Sequence, residues 1–354
     1  YSDFFSVVLE GEADGLPLPG GYLLLADDEK TLSKRMEKDS YFVRVYAKNQ
    51  MYTGKHIATK LWVGDYTTGD TFEKFAQKAE GIKRIGVLRA DVDNLGQTFV
   101  AGFAGKYATL SRTAALSRQL SIFFKYYIRS ILKNGEYHID GEKKLTERNA
   151  TIVYSGGDDV FIVGAWNEVI ELSIDLQEKF KKYTQGTLSI SSGIGIYECT
   201  YPIGAIANET GEMEAESKRM PEKDSVTLMD DGETHLINEL EICDGTYRWE
   251  ELYKSVLGEK YDVIQDFLGE SDERGMSFLY RMLELIRNQK EKINFARFVY
   301  LLSRLEPDKE GEKKEKYRKF SRKMYQWVQS EKDCRELKTA INLYAYMHRE
   351  KGAH

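Results

Sequence analysis

Cysteine and histidine are scarce in this chain, and long apolar runs are missing. Cys199, Cys243 and Cys334 stand far apart and form no CxxC pair, so neither a disulfide framework nor a cysteine zinc site is indicated. No apolar run approaches the roughly 18 residues of a membrane span, so no membrane partner is expected. No signal peptide is visible, which makes the cytoplasm the expected compartment. Positive charge is in deficit too: the net charge of −6 argues against a surface that grips nucleic acid all over. The local exception, Lys309 to Lys323, mixes lysine and arginine with glutamate and reads as a solvated loop and helix start, with RNA or subunit contact as the lesser alternative. What remains is a globular chain of 354 residues, long enough for roughly two or three domains with cores of their own.

The most informative stretch present is Tyr154-Ser155-Gly156-Gly157-Asp158-Asp159-Val160-Phe161. Strand-forming residues flank it on both sides, so Gly156-Gly157 is expected to be a hairpin turn in which glycine supplies positive φ. Such a turn presents two carboxylates beside backbone with no side chain to block a phosphate. Hard oxygen ligands of this kind suit Mg²⁺, which takes one or two carboxylates together with substrate phosphates. A second acidic pair, Asp91-Val92-Asp93-Asn94, also sits where an apolar strand gives way to a loop. Two strands ending in carboxylates form a minimal constellation for two-metal phosphoryl transfer. Taken singly, GGDD is an ordinary solvated hairpin, and DVDN is a plausible helix cap; their order along the chain raises the joint signal.

Apolar residues recur at helical spacing from Tyr107 to Leu132. After the hairpin, Asn167 is expected to cap a helix that ends before Gly186. Thr187–Tyr197 alternates as a strand, Pro202 opens a helix to about Arg219, and Ser225–Met229 is a short final strand. The fold class is α+β: a βαββαβ ferredoxin-like palm with an appended α-β. Its first strand and central hairpin are neighbours, which brings Asp91 to Asp158 and Asp159. Adjacent strand residues face opposite ways, so the last two need not play equal roles. Residues 1–80 read as a partly β connecting segment, with strands Ser6–Leu9, Tyr22–Leu25, Tyr41–Ala47 and Lys60–Val63 broken by turns such as Leu16–Gly21. Residues 81–246 form the palm. Residues 247–354 read as an all-α domain with helical runs Val256–Phe267, Phe278–Leu305 and Tyr317–Tyr346.

Six motifs in this order (Leu61–Tyr66, Ile85–Gly96, Leu116–Phe124, Ser155–Asp159, Ser192–Ile196 and Ala296–Arg304) span most of the chain. Together they resemble the C-terminal half, second palm plus helical domain, of the large signature subunit of type III CRISPR effector complexes. The form is most like the Csm-type (III-A) polymerase/cyclase subunit. The resemblance implies a nucleotidyltransferase that uses ATP and Mg²⁺ or Mn²⁺ to make 3′-5′ cyclic oligoadenylate once the complex has bound target RNA. Carried over, Asp91, Asp158 and Asp159 are catalytic metal ligands, joined by the Val92 carbonyl. Ser155, Gly156, Gly157 and Asn94 bind nucleotide, and Ser117 contacts adenine. Lys218 contacts the triphosphate, although a lysine near a helix C-terminus is equally well a dipole partner. Lys292 is a second candidate of the same kind.

The implied partners are the other subunits of the complex, guide and target RNA, and an N-terminal half carrying an HD nuclease and the first palm. The chain begins at Tyr1 and none of its five histidines is followed by aspartate, so it is expected to be cut from a longer protein and to lack that nuclease. It is then expected to bind Mg-ATP yet make little product alone. Two alternatives stay open: a GGDEF-type dinucleotide cyclase, and an architectural subunit with a silent palm.

Overall fold

A computed structural model describes residues 3–9, 14–37, 42–52, 57–141, 144–230, 232–269, 274–287 and 292–349. Strands β1 (Phe4–Leu9), β2 (Leu16–Leu18), β3 (Tyr22–Asp27), β4 (Phe42–Lys48) and β5 (Thr59–Leu61) build a first sheet in the order β2-β3-β1-β4-β5. Phe4, Val45 and Ala47 on one face meet Leu32 and Met36 of helix α1 (Glu29–Glu37). The stretch expected as a turn at Leu16–Gly21 also contributes the edge strand β2. Tyr41, the expected start of the third strand, lies outside the described residues.

Helix α2 (Phe72–Lys78), capped by the Thr71 hydroxyl, leads into the palm. Strand β6 (Ile85–Val92) is followed by α3 (Leu95–Ala101) and α4 (Leu110–Ile122), which passes through a π-helical turn at Phe123–Tyr127 into α5 (Ile128–Lys133). The hairpin β7 (Ala150–Ser155) and β8 (Asp159–Ala165), helix α6 (Trp166–Tyr183), strand β9 (Ile190–Tyr197), helix α7 (Ile203–Ser217) and strand β10 (Ser225–Leu228) come next. A separate hairpin, β11 (Thr234–Ile237) and β12 (Leu240–Cys243), precedes β13 (Thr246–Arg248).

The sheet order is β13-β10-β9-β6-β8-β7. The strands β9-β6-β8-β7 are antiparallel throughout and give the ferredoxin-like core, while β10 lies parallel to β9 across α7. Residues alternate between faces along β6. Leu88, Ala90 and Val92 join the core with Phe123, Phe124, Ile170 and Phe180 of the α4–α5 rod and α6. Ile85 and Val87 face the other way, against Phe75 of α2 and Ile206 of α7.

Asn167 does not cap α6. The cap position is Ala165, and the Asn167 side chain accepts the Glu80 N–H instead, while the buried Trp166 indole donates to the Glu80 carbonyl. Burying Trp166 at the first helical position leaves Asn167 two residues past the cap position.

The C-terminal region is helical. A π-helical stretch (Glu251–Tyr261) runs into α8 (Asp262–Leu268), followed by α9 (Arg274–Arg287), α10 (Lys292–Ser303), α11 (Glu312–Trp327) and α12 (Glu331–His348). The run expected from Tyr317 to Tyr346 is broken where the Ser330 hydroxyl caps α12. These helices share one apolar core with the palm. The Trp249 indole donates to the Ile190 carbonyl, Tyr247 reaches Thr339, and the Ile82 N–H donates to the Tyr346 carbonyl. Among the described residues no helix is long and apolar enough to cross a membrane.

Candidate nucleotide and metal site

Antiparallel pairing sets Asp91 of β6 directly opposite Asp159 of β8, with Ser191 of β9 on its other side. Opposed residues share a face, so the two carboxylates point to the same side of the sheet. Asp158 occupies the turn just before β8, and its carbonyl accepts the N–H of Val92, the last residue of β6. Asp93 is set apart: it is buried and accepts from the Ser189 hydroxyl and the Asp224 N–H.

The two turn glycines differ from expectation, since neither takes positive φ. Their contribution is space. A Cβ on Gly156 would lie 2.2 Å from Asp159 Oδ1 and 2.6 Å from the Tyr154 hydroxyl. Beyond Gly157 the nearest atom is Ser121 Oγ of α4, at 3.5 Å from such a Cβ.

On the same face, α7 delivers a charged partner. Gly193 of β9 lets that helix approach, because a Cβ there would sit 2.5 Å from the Glu214 N and Thr210 O atoms. Lys218, the residue closing α7, pairs with Asp91 Oδ2 and lies 2.6 Å from Glu214 Oε1. The other oxygen of Glu214 is 2.9 Å from Arg89 Nε. Burial opposes the Lys218 charge, but its hydrogen bonds to Asp91 and Glu214 outweigh burial and raise its pKa. Asp158 is pushed above the usual carboxylate range by burial first, then by the charges of Asp91 and Asp159, with Lys218 opposing. The charge of Asp159 likewise raises the Tyr154 phenol.

The Ser155 hydroxyl donates to the Phe124 carbonyl in the π-helical turn. Asn94 takes the left-handed conformation at the start of α3, and its side chain makes no capping bond. Ser117 is exposed on α4, one turn before Ser121. The Lys292 side chain lies outside the described residues.

The structure thus gathers Asp91, Val92, Gly156, Gly157, Asp158, Asp159 and Lys218. It adds Arg89, Glu214 and Ser191, which sequence reading did not single out. Period-two and i,i+4 spacing ahead of Asp91 and Lys218 was the available signal for the first two. Beside Asp159 lies a groove of about 410 Å³, lined by Arg89, Tyr154, Phe161 and Ile203 among others.

Among the described residues no three His, Cys, Asp or Glu side chains are grouped to hold a metal unaided. Asp91 and Asp159 still offer hard oxygens of the type Mg²⁺ uses when phosphate oxygens complete its shell. The donor set fits a metal that arrives with a triphosphate, provided that Lys218 leaves Asp91.

A ferredoxin-like sheet with opposed strand-end carboxylates beside a glycine turn, joined to a helical bundle, defines a palm domain with its helical companion. Residues 84–227 match the second palm domain of Cas10/Cmr2, and residues 265–350 match the second helical domain of the Cmr2 subunit of the CRISPR RNA silencing complex. The chain is 41% identical over 356 residues to the Mycobacterium tuberculosis protein named CRISPR system single-strand-specific deoxyribonuclease Cas10/Csm1 (subtype III-A), covering 98% of this chain and 42% of that protein. It is 36% identical over 347 residues to the Streptococcus thermophilus protein of the same name, covering 95% of this chain and 42% of that one. Among solved structures, Csm1 of T. onnurineus superposes with a TM-score of 0.76 at 22% identity, covering 99% of this chain and 49% of that one. A Csm1–Csm4 cassette in complex with cA4 gives 0.71 at 21% identity, over 97% of this chain and 48% of that one.

The chain belongs to the Cas10/Csm1 family of type III-A CRISPR systems. It spans about two fifths of the length of the curated relatives it matches.

Proposed function

We propose that this palm, assembled in a type III CRISPR complex with guide RNA, joins ATP molecules 3′-5′ into cyclic oligoadenylate when target RNA is bound. In each step a 3′-oxygen forms a bond to an α-phosphorus, the bond from that phosphorus to the bridging oxygen breaks, and pyrophosphate leaves with the electron pair. The 3′-hydroxyl proton passes to solvent. The observation that carries this reading is the direct opposition of Asp91 and Asp159 beside the Gly156-Gly157 turn.

When bound, Mg²⁺ or Mn²⁺ would lower the pKa of the attacking hydroxyl and neutralise the triphosphate. Asp91, Asp159 and Asp158 would hold it, with the Val92 carbonyl completing the set. Gly156 and Gly157 leave the backbone open to phosphate oxygens, and Lys218, released from Asp91, faces the triphosphate. Ser117 would contact the adenine, and Asn94 would take part in binding the nucleotide.

Csm1–Csm4 cassettes that share the fold have been solved with ATP, pppApA, pppApApA, cA3 and cA4, which supports an adenylate substrate. Partners would be a Csm4-like subunit and a first palm that supplies the acceptor nucleotide. The relatives' names carry a deoxyribonuclease activity, and this chain spans about two fifths of their length, so that activity is no part of the function proposed for the palm.

The ion pair between Lys218 and Asp91 favours a second reading, an architectural subunit whose palm is silent. Calorimetric titration of ATP and GTP with Mg²⁺ or Mn²⁺ separates the two. Metal-dependent ATP binding that disappears in the Asp158→Ala/Asp159→Ala double variant is the expected result, with little product from this chain alone. Equal or absent binding in both proteins supports the silent palm, and a preference for GTP supports a guanine dinucleotide cyclase.

A further inference from the structure

Four charges form a line across the open face of the palm. Arg89 and Asp91, two residues apart on β6, share that face. Glu214 and Lys218 stand one turn apart on α7 and face it. Contacts run from Arg89 to Glu214 (2.9 Å), from Glu214 to Lys218 (2.6 Å), and from Lys218 to Asp91.

Burial grades along the line. The Glu214 side chain is 10% exposed and has a cation on each oxygen, whereas Asp91 and Lys218 are 27% and 25% exposed. Glu214 is therefore the fixed anion, and Asp91 is the one open to exchange its partner. Lys218 sits between a carboxylate that cannot turn away and one that a divalent cation can claim.

We propose that Glu214, clamped by Arg89, is a positioning residue that sets how strongly Lys218 competes with a metal for Asp91. When a divalent cation takes Asp91, Lys218 retreats onto Glu214 and remains poised beside the phosphates. This inference rests on the reading of Asp91 as a metal ligand. Without the Glu214 charge, Lys218 keeps Asp91 as its ion-pair partner and plugs it more firmly. Without the Arg89 clamp, Glu214 has more of its charge to spare for Lys218, and the plug loosens.

The test is binding of Mn²⁺ alone, followed by electron paramagnetic resonance, with nucleotide absent. Glu214→Gln is expected to weaken Mn²⁺ binding roughly tenfold, a coupling of ordinary size for charged neighbours. Arg89→Gln is expected to tighten it, and Lys218→Gln to tighten it further. In the Lys218→Gln background both Glu214→Gln and Arg89→Gln are expected to have no effect, because they act through the lysine.

A Glu214→Gln effect that persists undiminished in the Lys218→Gln background would mean a plain field effect or a loosened fold, and would overturn the proposal. Weakened binding in Arg89→Gln would overturn it as well, and that variant keeps the question answerable if Glu214→Gln fails to fold. No Mn²⁺ binding by any protein, Lys218→Gln included, would overturn this inference, and absence of metal-dependent ATP binding in calorimetry as well would sink the metal reading of the site. Binding without coupling would sink this inference alone.

Discussion

Two ion networks in this chain use the same ingredients to opposite ends. Behind the sheet, the wholly buried Arg148 is held by Glu171, by Asp175 at 2.8 Å and by the Tyr137 carbonyl. The carboxylates there also accept the backbone N–H groups of Glu136, Tyr137 and Ile139, so every carboxylate oxygen is engaged. Burial pushes the Glu171 pKa up, against the pull of Arg148. At the palm face Lys218 and Asp91 remain about a quarter exposed, and Asp158 and Asp159 form no ion pair among the described residues. A network whose carboxylate oxygens are all engaged fixes one arrangement of the chain, here the segment between α5 and β7 against α6. An undersaturated one keeps capacity for a ligand. The contrast separates charges that hold the fold from charges available to chemistry.

The sharpest break in the comparison is Arg148→Met. It leaves two buried carboxylates without their cation and is expected to cost about 3–5 kcal/mol in denaturant unfolding. A loss below about 1 kcal/mol would mean that the buried network is no more committed to the fold than the open one.

Gly156→Ala probes the open network. The added methyl would press on Asp159 Oδ1 from 2.2 Å, so metal-dependent ATP affinity should fall roughly tenfold, about 1.4 kcal/mol. Stability should change by less, and calorimetry beside a melting curve reads both.

Asp244 occupies middle ground. Burial alone would raise its pKa, but hydrogen bonds from His235 and Lys338 bring it down to about 2. A folded pKa below the unfolded 3.8 means that its contribution is present above about pH 4 and lost as pH falls towards 2. Discounted for the solvent reaching it, Asp244→Asn should cost about 1 kcal/mol at neutral pH. Melting curves of parent and variant should converge as the pH drops through that window.

Much of the palm was legible because its signals are local. Period-two runs, a helical rod and a glycine–aspartate turn gave the βαββαβ order, and with it the neighbourhood of Asp91 and Asp159. The small edge strand β13 and the β11–β12 hairpin escaped because three- and four-residue strands carry too little pattern. The turn was read for two virtues of glycine, and only the lack of bulk holds, since dihedral freedom and lack of bulk leave the same mark in a sequence. Glu214 and Arg89 were invisible as a pair because only the packing of α7 on β9, permitted by Gly193, brings them within reach. Asn167 had the look of a cap, and tertiary demand for Trp166 in the core moved the helix start ahead of it.

The hydrogen bond from Ile82 to the Tyr346 carbonyl joins the approach to β6 with α12, near the other end of the described chain. A ribosome makes β6 before α12, so the strand that carries Asp91 waits until the last helix described here is made for the contact that seals its entrance. Such closure at long sequence separation slows folding and leaves apolar surface open in the meantime. The palm is thus written ahead of the helical region and finished only with it.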